Sequence, residues 1–224
     1  MNHTHNAPLA PVPSADTAYL LLIRHGATTW NEARPARLQG SGVDLELSPA
    51  GVQQAAATGR MLQRFPLAKI YCSHLKRAQQ TATAIAEAQQ KNVQILDNLQ
   101  EIHVGRWEGH DWPRIAREYP EEYRLFRENY GSHPYLEGES CQDVLARSEP
   151  VLLKLLEQHR GEIFAVVAHG IVNRVFLTKH LGWELSAVRE LPQMNGCVNV
   201  VRAREGQVQV LSVNGVLHLD EWPD

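Results

Sequence analysis

The chain has 224 residues, 43% of them hydrophobic, and 22 Lys and Arg stand against 25 Asp and Glu for a formal net charge of −3. A chain of this size buries roughly 70% of its unfolded surface, so it needs no disulfide or metal staple. The acidic balance and the lack of a Lys/Arg run exclude nucleic acid as the expected partner, and no apolar stretch approaches the ~20 residues of a membrane span.

Residues 1–18, rich in Pro and carrying His3 and His5, read as a disordered N-terminal arm, and residues 19–224 as a single domain. Tyr19–Ile23 is a continuous apolar run of strand length, followed at once by Arg24-His25-Gly26. Ser48-Pro49 is an N-cap and first-turn proline ahead of a helix to about Phe65, with Val52, Ala55, Ala56, Gly59 and Leu62 expected on its buried face. Lys69–Ser73 reads as a strand, Arg77 to about Gln90 as a helix and Val93–Leu96 as a third strand. The next forty residues are irregular. Asp111 to Asn129, broken at Pro120 and rich in charge, reads as part of a solvated helical cap at about residues 101–140. Ser140 opens a long helix that Pro150 is expected to kink, Ile163–Ala168 is a fourth strand ending in His169-Gly170, and a helix then runs to Leu181. Cys197–Arg202 and Gln207–Val213 flank Glu205-Gly206 as an edge hairpin. The alternation predicts a three-layer α/β/α fold with a mostly parallel sheet.

Arg24-His25-Gly26, Arg77 and His169-Gly170 all follow buried strands. In parallel sheets the carboxyl ends of strands share one crevice, so these distant residues are expected to converge. Two arginines and two histidines together make a positive hole that calls for an anion, and guanidinium forks match phosphate oxygens. Neighbouring arginines keep an imidazole neutral, and a neutral ring whose second nitrogen is tied to a backbone carbonyl is an in-line nucleophile for phosphorus. No P-loop or acidic cluster to hold a metal is present, and no cofactor is expected. Two rivals stay open. His25, His169, Glu101 and His103 are residue types that ligate zinc, though not at a persuasive spacing, and the same positive pocket also suits binding without turnover.

Leu22-Ile23-Arg24-His25-Gly26-Ala27-Thr28-Thr29-Trp30-Asn31 resembles the R-H-G-x-T-x-W-N signature of the histidine phosphatase superfamily, in its phosphoglycerate mutase-like branch. Ser73-His74-Leu75-Lys76-Arg77-Ala78 resembles its S-x-L-x-R-A segment, Leu99-Gln100-Glu101 with Gly105-Arg106-Trp107-Glu108-Gly109 its L-x-E and G-x-W-E-G segments, and Ala168-His169-Gly170 its second histidine motif. The resemblance implies His25 as the nucleophile that becomes phosphohistidine, Glu101 as proton donor, and His169 with Arg24, Arg77 and Asn31 as phosphoryl-binding groups. Gln39-Gly40 matches the family's R-x-Q-G loop, with backbone contacts to substrate implied. The implied activity is metal-independent hydrolysis of a small phosphorylated metabolite, with mutase-type transfer between hydroxyls as the alternative. His103, Arg106, His110, Trp112, Arg114 and Arg117 of the cap suggest a carboxylated substrate. Ile171 departs from the second glycine of many relatives. The three cysteines, Cys72, Cys141 and Cys197, are scattered and odd in number, which suits a reducing compartment, with the cytoplasm as the default. Oligomeric state is not legible in the sequence.

Overall fold

A computed structural model describes residues 12–219. Six strands form one sheet in the order β3-β2-β4-β1-β5-β6, where β1 is Thr17–Arg24, β2 Leu67–Ser73, β3 Val93–Leu96, β4 Ile163–Ala168, β5 Val198–Arg204 and β6 Gln207–Gly215. The first four in that order are parallel to their neighbours, while β5 runs antiparallel to both β1 and β6. The expected mostly parallel α/β sheet is present. Alternate residues of β1 enter two apolar layers, Leu20 and Leu22 on one face, Leu21 and Ile23 on the other, as a strand covered on both sides must. The hairpin turn places Glu205 at φ 52° and Gly206 at φ 75°, the paired left-handed conformations of a two-residue connection.

Seven helices matter to the site or its cover. A single turn, α1, spans Thr29–Glu32, α2 spans Pro49–Leu62 and α3 spans Lys76–Gln89. The Ser48 hydroxyl accepts from Gly51 N as the expected N-cap of α2. Ala55, Gly59 and Leu62 are buried as expected, together with Gly51, Ala57 and Thr58, but Val52 is 54% exposed. The reason is contact distance: a Cβ on Gly51 would lie 1.9 Å from Ala27 O, so this helix approaches the loop after β1 along its glycine side.

The segment after β3 carries α4 at Trp112–Glu118 and α5 at Pro120–Glu128 before α6 at Cys141–Gln158. The Asp111 carboxylate and the Ser140 hydroxyl cap α4 and α6, and α6 runs on through Pro150. The expectation of a merely solvated cap is corrected here. Trp107, Phe126, Tyr130 and Tyr135 are buried and join the same apolar cluster as Leu20, Leu99, Val144 and Phe176. Phe126 packs 4.5 Å from Tyr135 and 5.2 Å from Trp107, centroid to centroid. Charged residues cover only its outside, where Arg114 pairs with Glu118 and Arg124 with Glu128.

β1 begins inside the segment expected to be an arm. Thr17 and Ala18 already pair with Arg204 and Ala203 across the sheet, and Ser14 bonds Asp16 and Thr17 in the turn before the strand. The rest of that reading, with His3 and His5, falls on residues 1–11, outside the described residues. Among the described residues no helix is long and apolar enough to cross a membrane.

Candidate active site

Strand register brings the two histidines together. Arg24 pairs with Ala168 across the parallel β1 and β4, so the next residue on each strand is a histidine, and the two rings lie 5.1 Å apart. The His25 amide continues the ladder by donating to Ala168 O. His169 is the residue before α7, Gly170–His180. Arg77, in the first turn of α3, arrives beside them from the end of β2.

The loop after β1 is tightly fixed. Gly26 N donates to the Thr81 hydroxyl, whose own proton goes to Arg77 O, and a Cβ on Gly26 would lie 2.4 Å from Gly51 O. Asn195 Nδ2 donates to His25 O, and Gly196 N to the carbonyls of Arg24 and His25. Within that frame His25 Nδ1 lies 2.7 Å from Gly26 O, so the tautomer that donates there leaves Nε2 with its lone pair free. Burial, then the charges of Arg77 and Arg24, hold the His25 pKa well below 6.5; burial and Arg77 do the same to His169.

Each arginine is anchored by carbonyls and keeps donors to spare. Arg77 is fully buried, with Nη2 on Gly40 O and Nη1 on Val43 O, while Arg24 Nη1 donates to Gln193 O. Arg24 Nε, Arg77 Nε, both ring nitrogens of His169 and Gln39 Nε2 are buried without a hydrogen-bond partner in the protein. Buried donors are ordinarily satisfied, so this convergence marks the seat of a small oxyanion.

Glu101 is 7% exposed, and its carboxylate accepts from Ile102 N at 2.9 Å and from Ile171 N at 3.2 Å. A backbone amide serves as donor to it, so Ile171 in place of glycine leaves this contact intact. Arg147 fixes the Glu101 backbone by donating to Asn98 O and Glu101 O while paired with Glu139. Asn31 accepts from Thr28 N and Asn195 Nδ2 through Oδ1, and Gln39 Oε1 accepts from the Thr28 hydroxyl at 2.6 Å. The Gly40 amide donates to Glu108 at 2.7 Å and its carbonyl accepts from Arg77, so this residue helps to hold Arg77 in place.

A cavity of about 380 Å³ opens at this place, lined in part by Arg24, Asn31, Gln39, Glu101 and Gly170, and roofed by Trp112, Tyr130 and Tyr135 of the cap. A larger apolar cavity of about 530 Å³ beside Leu21, Leu62 and Phe65 contains none of the predicted site residues. Of the six cap residues expected to face substrate, only Trp112 lines the active cavity. Arg106 pairs with Glu137, Arg114 and Arg117 with Glu118, and His110 lies near Glu118, while the His103 side chain is exposed. Arg37, Arg174 and Arg189 line the cavity instead. The sequence carries only a partial signal: Arg114 has Glu118 four residues on, and Arg174 and Arg189 have no acid at three or four residues either way, but nor has Arg106, whose partner Glu137 is distant in sequence. The zinc alternative lacks its ligand set, since no three His, Cys, Asp or Glu groups gather at ligating geometry among the described residues.

Residues 20–215 match the family model described as histidine phosphatase superfamily (branch 1). The chain belongs to that superfamily. Phosphoserine phosphatase 1 of Hydrogenobacter thermophilus is 32% identical over 91% of this chain and 95% of its own. A metal-independent phosphoserine phosphatase of Arabidopsis thaliana is 34% identical over 92% of this chain and 84% of its own. Among solved structures, a phosphoserine phosphatase from Entamoeba histolytica in complex with 3-phosphoglyceric acid superposes with a TM-score of 0.81 at 28% identity, over 90% of this chain and 99% of that one. In this histidine phosphatase the four motifs come from four separate strand ends, and the sheet register is what makes one pocket of them.

Proposed function

We propose that the protein is a metal-independent phosphomonoesterase that hydrolyses small phosphorylated metabolites through a phosphohistidine on His25. The observation that carries this reading is the free Nε2 of a neutral His25, tied through Nδ1 to Gly26 O, beside unpartnered donors from Arg24, Arg77 and His169. The substrate phosphoryl group lies among those donors, which neutralise its equatorial oxygens as charge spreads in the transition state. Nε2 attacks phosphorus in line, the ester P–O bond breaks, and Glu101 protonates the departing alkoxide. Glu101 then takes a proton from water, which attacks phosphohistidine and releases inorganic phosphate. The Asn31 amide nitrogen and Gln39 Nε2 supply further donors at the rim.

Hydrolysis is favoured over mutase transfer because the cap packs as one apolar mass against the core, which leaves a compact cavity of about 380 Å³ above Glu101. Three buried, unpaired cysteines support a reducing compartment, and the cytoplasm is the compartment proposed.

The test is labelling with a 32P-labelled phosphomonoester in the presence of chelator, quenched into alkaline detergent. Wild type should show acid-labile, base-stable label and steady phosphate release, and His25→Ala should lose both with its circular dichroism spectrum retained. An active His25→Ala protein would falsify the mechanism, and transfer of label to a second substrate hydroxyl in place of water would favour the mutase alternative.

A further inference from the structure

Arg77 is fully buried, and both of its terminal nitrogens are held by backbone carbonyls, Gly40 O at 3.0 Å and Val43 O at 3.2 Å. Carbonyls orient a guanidinium without neutralising it, whereas a carboxylate paired directly with Arg77 would compete with the phosphoryl group for its charge. The two carbonyls belong to a short loop, residues 40–43, that lies outside every helix and strand. Its shape is therefore not set by a backbone ladder of its own.

Glu108 meets that loop from the cap side. Its Oε1 accepts from Gly40 N at 2.7 Å and its Oε2 from Gly42 N at 3.2 Å. The approach is close: a Cβ on Gly40 would fall 3.0 Å from Glu108 Oε2, and one on Gly42 2.9 Å from it. Glu108 is itself firmly seated. Trp107 beside it is fully buried in the aromatic cluster, Leu38 N donates to His110 O, and Gly109 N donates to Leu38 O, so the two segments run alongside each other.

We infer that Glu108 is a positioning residue for phosphoryl transfer, its two carboxylate oxygens holding the 40–43 loop in the shape whose carbonyls aim Arg77 at the phosphoryl group. This assignment rests on the phosphatase reading and adds a residue to its machinery. Glu108 does not line the cavity, so it acts through Arg77. Burial pushes its carboxyl above the usual carboxylate range, a rise that the Gly40 and Gly42 amides, then Arg77 and His103, oppose. A neutral side chain would sit here at a lower desolvation cost. What a carboxylate alone offers is one acceptor oxygen for each of two neighbouring amides, and glutamine would set an NH2 group against one of them. Its charge also favours that of Arg77 from a distance, without occupying the Nε donor left for phosphate.

The experiment combines kinetics with spectroscopy of Glu108→Gln. Its kcat/KM should fall about 10-fold, as loss of one charge-assisted hydrogen bond implies. The fall should be equal for alkyl phosphates and p-nitrophenyl phosphate, because Arg77 meets the phosphoryl group and not the leaving group. Arg77→Gln should cost about 100-fold, and adding Glu108→Gln to it no more than about 2-fold further, as for two residues acting in one chain of contacts. The Arg77 Nε–H resonance in 15N spectra, assigned by its loss in Arg77→Gln, should shift or broaden in Glu108→Gln, and calorimetric affinity for inorganic phosphate should drop about 10-fold. Should Glu108→Gln fail to fold by circular dichroism, Gly42→Ala crowds the same oxygen from an exposed position and should show the same pattern at about 3-fold. Losses that multiply in the double variant, losses confined to alkyl phosphates, or an unchanged Arg77 resonance would each overturn the assignment while leaving phosphatase activity standing. If wild type turns over no phosphomonoester, the phosphatase reading fails, and the Arg77 resonance and phosphate affinity still decide whether Glu108 braces Arg77.

Discussion

Replacing Arg24 with methionine should make the ligand-free protein slightly more stable while removing its response to phosphate. Burial, then the neighbouring charge of Arg174, pull the Arg24 pKa from the usual guanidinium range down to about 10. A depression of that size opposes folding by about 3 kcal/mol at neutral pH, and the edge of the guanidinium that still meets the cavity trims this to about 2 kcal/mol. The sign follows from linkage: the penalty is present in full below pH about 10 and fades as pH climbs further, toward the range where the unfolded chain also loses its proton. Methionine keeps the apolar stem but forfeits the bond to Gln193 O, which costs about 1 kcal/mol. The net gain of about 1 kcal/mol raises Tm by about 2–4 °C for a domain of this size. Calorimetric melting with and without inorganic phosphate is the assay. At a hundred times Kd, phosphate should add about 2.7 kcal/mol to wild type and far less to the variant. A variant that melts well below wild type without phosphate, or that gains as much from phosphate, would refute the argument that this charge is held against its own solvation.

Two further outcomes follow from the buried groups. His25 and His169 stay neutral in the fold well below pH 6.5, so the unfolded chain takes up protons that the native state refuses as pH drops through 6.5. Urea unfolding should lose about 1.4 kcal/mol per pH unit for each of them below that point, while kcat/KM should show no acid limb from His25 near 6.5; His169→Asn should lower the slope by about 1.4 kcal/mol per pH unit, and a slope it leaves intact would contradict this. Glu101→Gln should slow hydrolysis of alkyl phosphates far more than that of p-nitrophenyl phosphate, whose leaving group needs little protonation, and equal losses would remove Glu101 from the acid role.

The sheet was legible because its strands are pure apolar runs with polar punctuation: Val93–Leu96 and Ile163–Ala168 match their expected limits residue for residue. The same property made the site legible, since Arg24-His25, Arg77 and His169 stand where those runs stop. What escaped notice depended on contacts between distant segments. Val52 fits the helical period of its neighbours, but glycine contact with Ala27 turns the helix away from it. Cap aromatics dispersed among charges show no clean stripe, because they pack on one another and on several helices rather than along one face. Arg174 carries no motif role in the sequence, and only the fold brings it to the cavity that Arg24 and Glu101 also line.

The aromatic interior of the cap also governs how substrate gets in. A hinged lid would have to strip Trp107, Phe126 and Tyr135 from the helices beneath, baring large side chains worth about 1.5–3 kcal/mol apiece. A door so costly to open favours entry through a standing mouth, its outline drawn by the side chains at its lip. Changes of diet in this architecture are then a matter of exchanging individual residues at that threshold, with no need to redesign a moving part.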